Sequence, residues 1–231
     1  MSLNHGPRTI IPDGLILHVD AANTKSYPGS GTVWKDLSGN GRDGTLIDGV
    51  GYSTDNGGTL VFDGTDDYVD CGNDNILSPP YLTASVICKQ TSFSTRGHVM
   101  GRGAGGSGNF YMVLETNRQM NLYVDYGSNW VSGGYFNNFP LNTWTQITVT
   151  HDGLVTKIYI NGVLEVSSNR VGTLRSWQAN PLLIGGGPGG AQGTLSQFAT
   201  GNISSAQMYS RALNQSEILN NFEILRGRYS I

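Results

Sequence analysis

Apolar residues recur along this chain at every second position in short runs, and each run is bounded by glycine, asparagine, aspartate or proline. In GLILHVD, Leu15, Leu17 and Val19 alternate with Ile16, His18 and Asp20. In LTASVICK, Ala84, Val86 and Cys88 fall on one face. GTLVFDG, DYVDCG, GHVMG, NFYMVLET, QMNLYVDYG, PLLIGGG and NISSAQMYS read the same way. A period of two is the mark of a strand whose two faces meet different surroundings. WTQITVTHDGLVTKIYINGVLEVS holds two hairpins, turned by His151–Asp152–Gly153 and by Asn161–Gly162, the latter a type I′ pair. About a dozen short strands at a spacing of roughly 10 residues, with no βαβ alternation, predict an all-β, two-sheet antiparallel sandwich.

The pattern changes once. In LNQSEILNNFEILRGRY, Asn214 suits an N-cap and Glu217 stands three residues on, a capping-box arrangement. Ile218, Phe222 and Leu225 recur at helical spacing, and Gly227 suits the C-terminal stop. This predicts one helix over about residues 215–226, docked on the sandwich by its apolar stripe. Residues 1–12 read as an extended N-terminal arm and 13–231 as a single domain. No linker, low-complexity tract or internal repeat divides the chain.

Composition supports the folded reading. There are 33 glycines in 231 residues and only 13% charged residues, with 10% aromatic; a disordered chain carries more charge and fewer rings. Net charge is -3 with no Lys/Arg run, which predicts no nucleic-acid partner and no anionic-membrane surface. No apolar stretch is long enough to insert in a membrane, and the N-terminus lacks the basic start of a secretory signal. Cys71 and Cys88 fall in two runs read as neighbouring strands; two thiols behaving as small apolar side chains are expected rather than a disulfide.

Several stretches invite chemistry. WKDLSGNGRDGTL, residues 34–46, offers Asp36, Ser38, Asn40 and Gly41 in the order of an EF-hand loop, but the twelfth position is Ile47, which has no oxygen to give. The composition is that of a tight turn; the alternative is calcium in another geometry, held by Asp36 and Asp43 with Asp48 near by. GRGAGGSGNF contains a formal G-x-G-x-x-G at Gly101, Gly103 and Gly106, but a strand pattern follows where phosphate binding needs a helix. It is read as a loop between strands. The four glutamates, 115, 165, 217 and 223, and the adjacent Asp66 and Asp67 give no pair of acids facing one cleft, as sugar hydrolysis needs. The four histidines, 5, 18, 98 and 151, show no metal or triad spacing. No catalytic residue is assigned and a non-enzyme is expected.

One stretch points to binding. YVDYGSNWVSGGYFNNFPLNTW mixes Tyr123, Tyr126, Trp130, Tyr135, Phe136 and Phe139 with Asp125, Asn129, Asn137 and Asn138. Rings that stack on sugars beside amides and carboxylates that read hydroxyls make a glycan site; the same residue types are enriched in protein interfaces. The candidate binding set is Asp125, Tyr126, Asn129, Trp130, Tyr135, Asn137 and Asn138.

Taken together, GLILHVDAANTKSYPGSGTVWKDLSGNGRDGTL, GGTLVFDGTDDYVDCG, W-x-x-I-T-V-T-H-D-G with K-I-Y-I-N-G, and GNISSAQMYSRALNQSEIL resemble the concanavalin A-like lectin/glucanase superfamily, in its laminin G-like jelly-roll group. The resemblance covers about residues 13–225 and implies a jelly-roll sandwich. SYPGSG-x-x-W-x-DLSGNG together with NNFEILRGRY is similar to domains of tailed-bacteriophage structural proteins. That narrower resemblance implies a non-enzymatic virion-surface scaffold, a capsid decoration, tail or fibre component that docks on other virion proteins within an oligomeric assembly. The alternative is an extracellular carbohydrate-binding module that grips glycans. The glucanase acids are absent. Asp66 and Asp67 resemble acids of the calcium-dependent branch, so calcium at Asp66, Asp67, Asp36 and Asp43 is the one cofactor to test; none is required by the reading.

Overall fold

The computed structural model describes residues 9–104, 107–127, 130–176, 179–188 and 194–231. Among them are sixteen strands and one α-helix. In chain order these are β1 (Leu15–Asp20), β2 (Val33–Trp34), β3 (Gly44–Ile47), β4 (Gly51–Ser53), β5 (Thr59–Asp63), β6 (Tyr68–Asp70), β7 (Leu82–Gln90) and β8 (Gly97–Ala104). They continue as β9 (Ser107–Leu114), β10 (Met120–Asp125), β11 (Trp130–Phe136), β12 (Thr145–His151), β13 (Val155–Ile160), β14 (Val163–Asn169), β15 (Leu182–Ile184), β16 (Thr200–Tyr209) and α1 (Gln215–Leu225).

The first sheet runs β14-β13-β12-β7-β16-β5-β4, with β1 also on β16, and the second β11-β10-β9-β8-β15-β6-β3-β2. All pairings are antiparallel. The chain is therefore the predicted all-β, two-sheet antiparallel sandwich with one C-terminal helix. Alternate residues of each strand meet in one continuous core. Ala84, Val86, Ile147, Val149 and Met208 come from the first sheet, and Val69, Phe110, Met112, Leu122 and Leu182 from the second. The Asn161–Gly162 turn has φ of 50° and 76°, both positive as a type I′ hairpin requires.

The helix carries its predicted capping box. The Asn214 side chain accepts from the backbone N–H of Ser216 and Glu217, and the Glu217 carboxylate accepts from Asn214 N–H. Ile218, Phe222 and Leu225 are buried, which docks α1 on the outer face of the first sheet over Tyr159, Tyr209 and Ile87. Residues just before β1 lie on the same helix: Ile11 N–H donates to Asn221 Oδ1 (3.0 Å) and Asn220 Nδ2 to Thr9 O (3.0 Å).

Four details differ from the sequence reading. Gly227 is not a left-handed cap; α1 runs straight into a 3-10 turn at Arg226–Arg228. Cys71 follows β6 and Cys88 belongs to β7, so the thiols come from opposite sheets, both free and buried in the same core. Gly101 and Gly103 lie inside β8 rather than in a loop. Residues 130–136, absent from the strands read in the sequence, form the edge strand β11.

Candidate functional site

The outer face of the second sheet is built by cross-strand register. Pairing puts Asp70 opposite Leu183, Leu183 opposite Gly101, Gly101 opposite Tyr111, Tyr111 opposite Tyr123 and Tyr123 opposite Ser132. Directly paired residues share a face, so these six make one row across β6, β15, β8, β9, β10 and β11. A parallel row holds His98, Val113, Asn121 and Tyr135.

Glycine gives this face its shape. A Cβ on Gly101 would collide with Cδ1 of Tyr111, one on Gly103 would lie 2.5 Å from the Tyr111 hydroxyl, and one on Gly108 would lie 2.6 Å from Cζ2 of Trp130. Only bare backbone lets both rings lie flat on the sheet. Trp130 then stacks on Tyr111 at 4.3 Å between centroids, and His98 meets the Tyr111 ring edge-on at 4.7 Å. The glycine-rich stretch that mimics a phosphate loop is thus the floor for an aromatic platform.

Arg96, His98, Tyr111, Tyr123, Trp130 and Gln197, with Pro188, line a cleft of about 340 Å³ on this face. Its rim is a hydrogen-bonded cluster around Glu115. Oε1 of that carboxylate accepts from Arg96 Nε (3.0 Å), Asn121 Nδ2 (3.2 Å) and the Tyr123 hydroxyl (3.2 Å). The Arg96 guanidinium also lies over the Tyr123 ring at 5.4 Å. Burial, then the Glu115 charge, push the Tyr123 hydroxyl above its usual pKa. His98 is fully enclosed and its Nε2 is 2.8 Å from Gln197 Oε1. Burial first, and Arg96 second, lower its pKa to about 3, so it is a neutral imidazole. The Tyr111 hydroxyl and His98 Nδ1 are buried with no hydrogen-bond partner among the described residues.

The candidate binding residues are divided by this geometry. Trp130 lies in the cleft and Tyr135 is half exposed (51%) in the neighbouring row. Asp125 is wholly buried; its oxygens accept from Gly108 N–H (2.9 Å) and Gly127 N–H (2.7 Å), so it positions the β8–β9 hairpin under Trp130. The Tyr126 hydroxyl donates to Arg170 O and its ring packs against His151 at 5.5 Å. Asn137 accepts from Gln119, and Asn138 occupies a positive-φ turn position beyond β11. Asn129 lies outside the described residues. Sequence reasoning missed Arg96, His98, Tyr111, Glu115 and Gln197 as a group, because they come from separate segments joined only by register and the 187–197 connection.

The acidic candidates also separate. Asp66 and Asp67 come together with Asp63, one carboxylate oxygen of each lying within 4.8 Å of the others. Asp67 is buried, and burial, with the charges of Asp63, Asp66 and Asp48, raises its pKa although the Asp63 N–H bond opposes this. This oxygen set suits a hard cation. Asp36 and Asp43 belong to a different turn. The Asp36 carboxylate accepts from the backbone N–H of His18, Ser38 and Arg42, and Asp43 from Asp36 N–H and Lys35 Nζ. There the loop's own amides occupy the oxygens.

The two-sheet antiparallel fold defines a lectin-like β-sandwich. The chain belongs to the laminin G-like family of the concanavalin A-like lectin/glucanases superfamily, whose profile matches residues 63–219. Similar solved structures include domain 4 of AbnA, an extracellular arabinanase of Geobacillus stearothermophilus, in complex with arabinotriose. It is 19% identical with a TM-score of 0.67, covering 90% of this chain and 97% of that one. The receptor-binding domain of a botulinum neurotoxin C/D mosaic is 16% identical with a TM-score of 0.70, covering 92% of this chain and 52% of the other. A Trypanosoma rangeli sialidase mutant displaying trans-sialidase activity is 16% identical at 0.67, covering 95% and 34%. The chain thus spans about half of the toxin domain and a third of the sialidase. At these identities the likeness is one of fold, and it includes enzymes as well as binding domains. No curated protein matches the sequence. No helix among the described residues is long and apolar enough to cross a membrane.

Proposed function

We propose that this chain is a non-catalytic carbohydrate-binding domain whose sugar site is the cleft between Arg96, Tyr123 and Trp130. The observation that carries the reading is the Trp130–Tyr111 platform, laid on glycine backbone, left uncovered by the described residues, and rimmed by Glu115, Asn121 and Gln197. A flat ring takes the apolar face of a sugar while the rim exchanges hydrogen bonds with its hydroxyls. The arabinotriose-bound arabinanase domain supports the reading. So does Glu115, the one carboxylate at this cleft among the described residues, which is engaged by Arg96 where hydrolysis would need a second acid on the opposite side. An extracellular setting follows from the same reading.

A glycan array probed with the wild-type chain and with Trp130→Ala tests it. Binding by the former and at least tenfold weaker binding by the latter, about 1.4 kcal/mol, is expected; equal signals would sink the assignment.

Asp63, Asp66 and Asp67 would hold calcium as a brace between β5 and β6. Millimolar calcium should then raise the melting temperature, EDTA should reverse the rise, and Asp67→Asn should abolish it. No response in the wild-type chain removes calcium from the reading.

The virion-scaffold role, with its protein partners and assembly, rests on the resemblance of the two termini alone; none of the structures named above is a virion protein.

A further inference from the structure

A second, smaller cleft of about 170 Å³ adjoins the first on the same sheet face, lined by Tyr68, Asp70, Gly103, Leu183 and Thr194. Pro188 lines both. The two also meet at the Tyr111 hydroxyl, which lies over Gly103, a residue of the second cleft. They therefore occupy opposite ends of one row from Asp70 on β6 to Ser132 on β11. Six strands at ~4.8 Å each give a row about 24 Å long, several sugar rings across.

The charges along this row are already engaged. Arg96 is bound to Glu115 at 3.0 Å, and Arg175, near Trp130, bonds Ser107 and the buried Asp125. The wholly buried Arg102 beneath Gly101 and Gly103 is held by the carbonyls of Asn73, Asp74 and Asn180. At the far end stands a carboxylate, Asp70, whose Oδ1 takes Gly72 N–H. An acidic sugar would meet Glu115 and Asp70 while Arg96, Arg102 and Arg175 are already committed, so pairing it with Arg96 would require breaking the Arg96–Glu115 pair.

Resting on the glycan reading above, we infer that the two clefts are one extended site that takes a run of neutral sugar units laid across the strands, rather than a single terminal or acidic sugar. The aromatic platform at β9–β11 grips one unit, and the cleft beside Leu183 and Thr194 takes a following one. Affinity then comes from chain length, because each added unit contacts a preformed subsite without a new loss of overall translation and rotation.

The test is titration calorimetry, with NMR for weak binding, on the full chain. The probes are arabino-, xylo- and gluco-oligosaccharides of increasing length from the monosaccharide, with sialyllactose and oligogalacturonate as acidic arms. At least one neutral series should tighten by about tenfold or more between one unit and four. Thr194→Trp, at an exposed position on the rim of the second cleft, should fill that cleft and erase the gain with length. A flat length profile, or tighter binding of the acidic probes, overturns the inference while the glycan reading stands. Binding of no sugar by the wild-type chain overturns both.

Discussion

The sandwich has two outer faces, and they are finished in opposite ways. On the first sheet Ser85 pairs with Thr148 at 2.8 Å, Thr83 accepts from Leu213 N–H, and Tyr159 and Tyr209 lie beneath Leu213 and Ile218. The helix and the chain before β1 seal this face. On the second sheet no helix among the described residues lies over Tyr111, Tyr123 and Trp130; Pro188 and Gln197 line the cleft beside them. Unpartnered polar atoms do not by themselves separate the two, because Gln146 Oε1 and Gln207 Nε2 are buried without partners among the described residues on the sealed side as well. The distinction is a partly exposed ring, Trp130, that lines a cleft. Apolar coverage marks the face that stabilises, and an uncovered aromatic platform marks the face available to a ligand.

The largest expected effect falls on the sealed face. Phe222 is 5% exposed and its ring packs against Gly162 in the β13–β14 turn. Phe222→Ala should cost about 3–5 kcal/mol of unfolding free energy in urea titration, while the folded fraction binds sugar with unchanged affinity. A matching loss of affinity would show that the two faces are coupled.

Acid should act more gently, and through the open face. His98 stays neutral in the fold with a pKa of about 3, whereas in the unfolded chain it protonates near its ordinary 6.5. The unfolded state therefore takes up the extra proton, and the stability from this group is full above pH 6.5 and lost as pH falls toward 3. The slope is about 1.4 kcal/mol per pH unit for one proton. Burial also lowers the pKa of His18 and His151, which add to the total. Comparison of the wild-type chain with His98→Gln isolates the open face: the variant should lose one proton's worth of slope, and identical slopes would contradict the neutral, enclosed imidazole.

The fold was legible because its information is local. Period-two runs such as Ala84–Val86–Cys88, the Asn161–Gly162 turn and the Asn214–Glu217 box each declare themselves within a few residues. The strand β11 escaped because WVSGGYF buries only its two glycines fully, so it has no apolar alternation to read. The site escaped for a different reason. Arg96, Tyr111, Tyr123 and Gln197 lie in four segments, and only pairing register brings them together. One signal was present: glycines at 101, 103 and 108 beside a tyrosine at 111. Once β8 and β9 pair, side chains removed from one strand mark where a ring from the next lies down. Asp125 illustrates the converse, a carboxylate that looks available in sequence but is consumed by Gly108 and Gly127 N–H.

The smallest expected effect is also the sharpest, because stability and binding should move apart. The Tyr111 hydroxyl is buried at the junction of the two clefts without a partner among the described residues, and burial together with the Asp125 charge raises its pKa, keeping it protonated. A buried hydroxyl that makes no hydrogen bond carries a desolvation cost of about 1–3 kcal/mol. Tyr111→Phe keeps the ring that stacks on Trp130 and discards the costly atom, so unfolding free energy should stay level or rise by up to about 1 kcal/mol. If the hydroxyl serves a ligand that shifts Trp130 and reaches it, the same substitution should weaken oligosaccharide binding severalfold. A more stable variant with weaker binding assigns the oxygen to the site. A less stable variant shows that the oxygen belongs to the framework, and the junction between the two clefts then offers a ligand its shape alone.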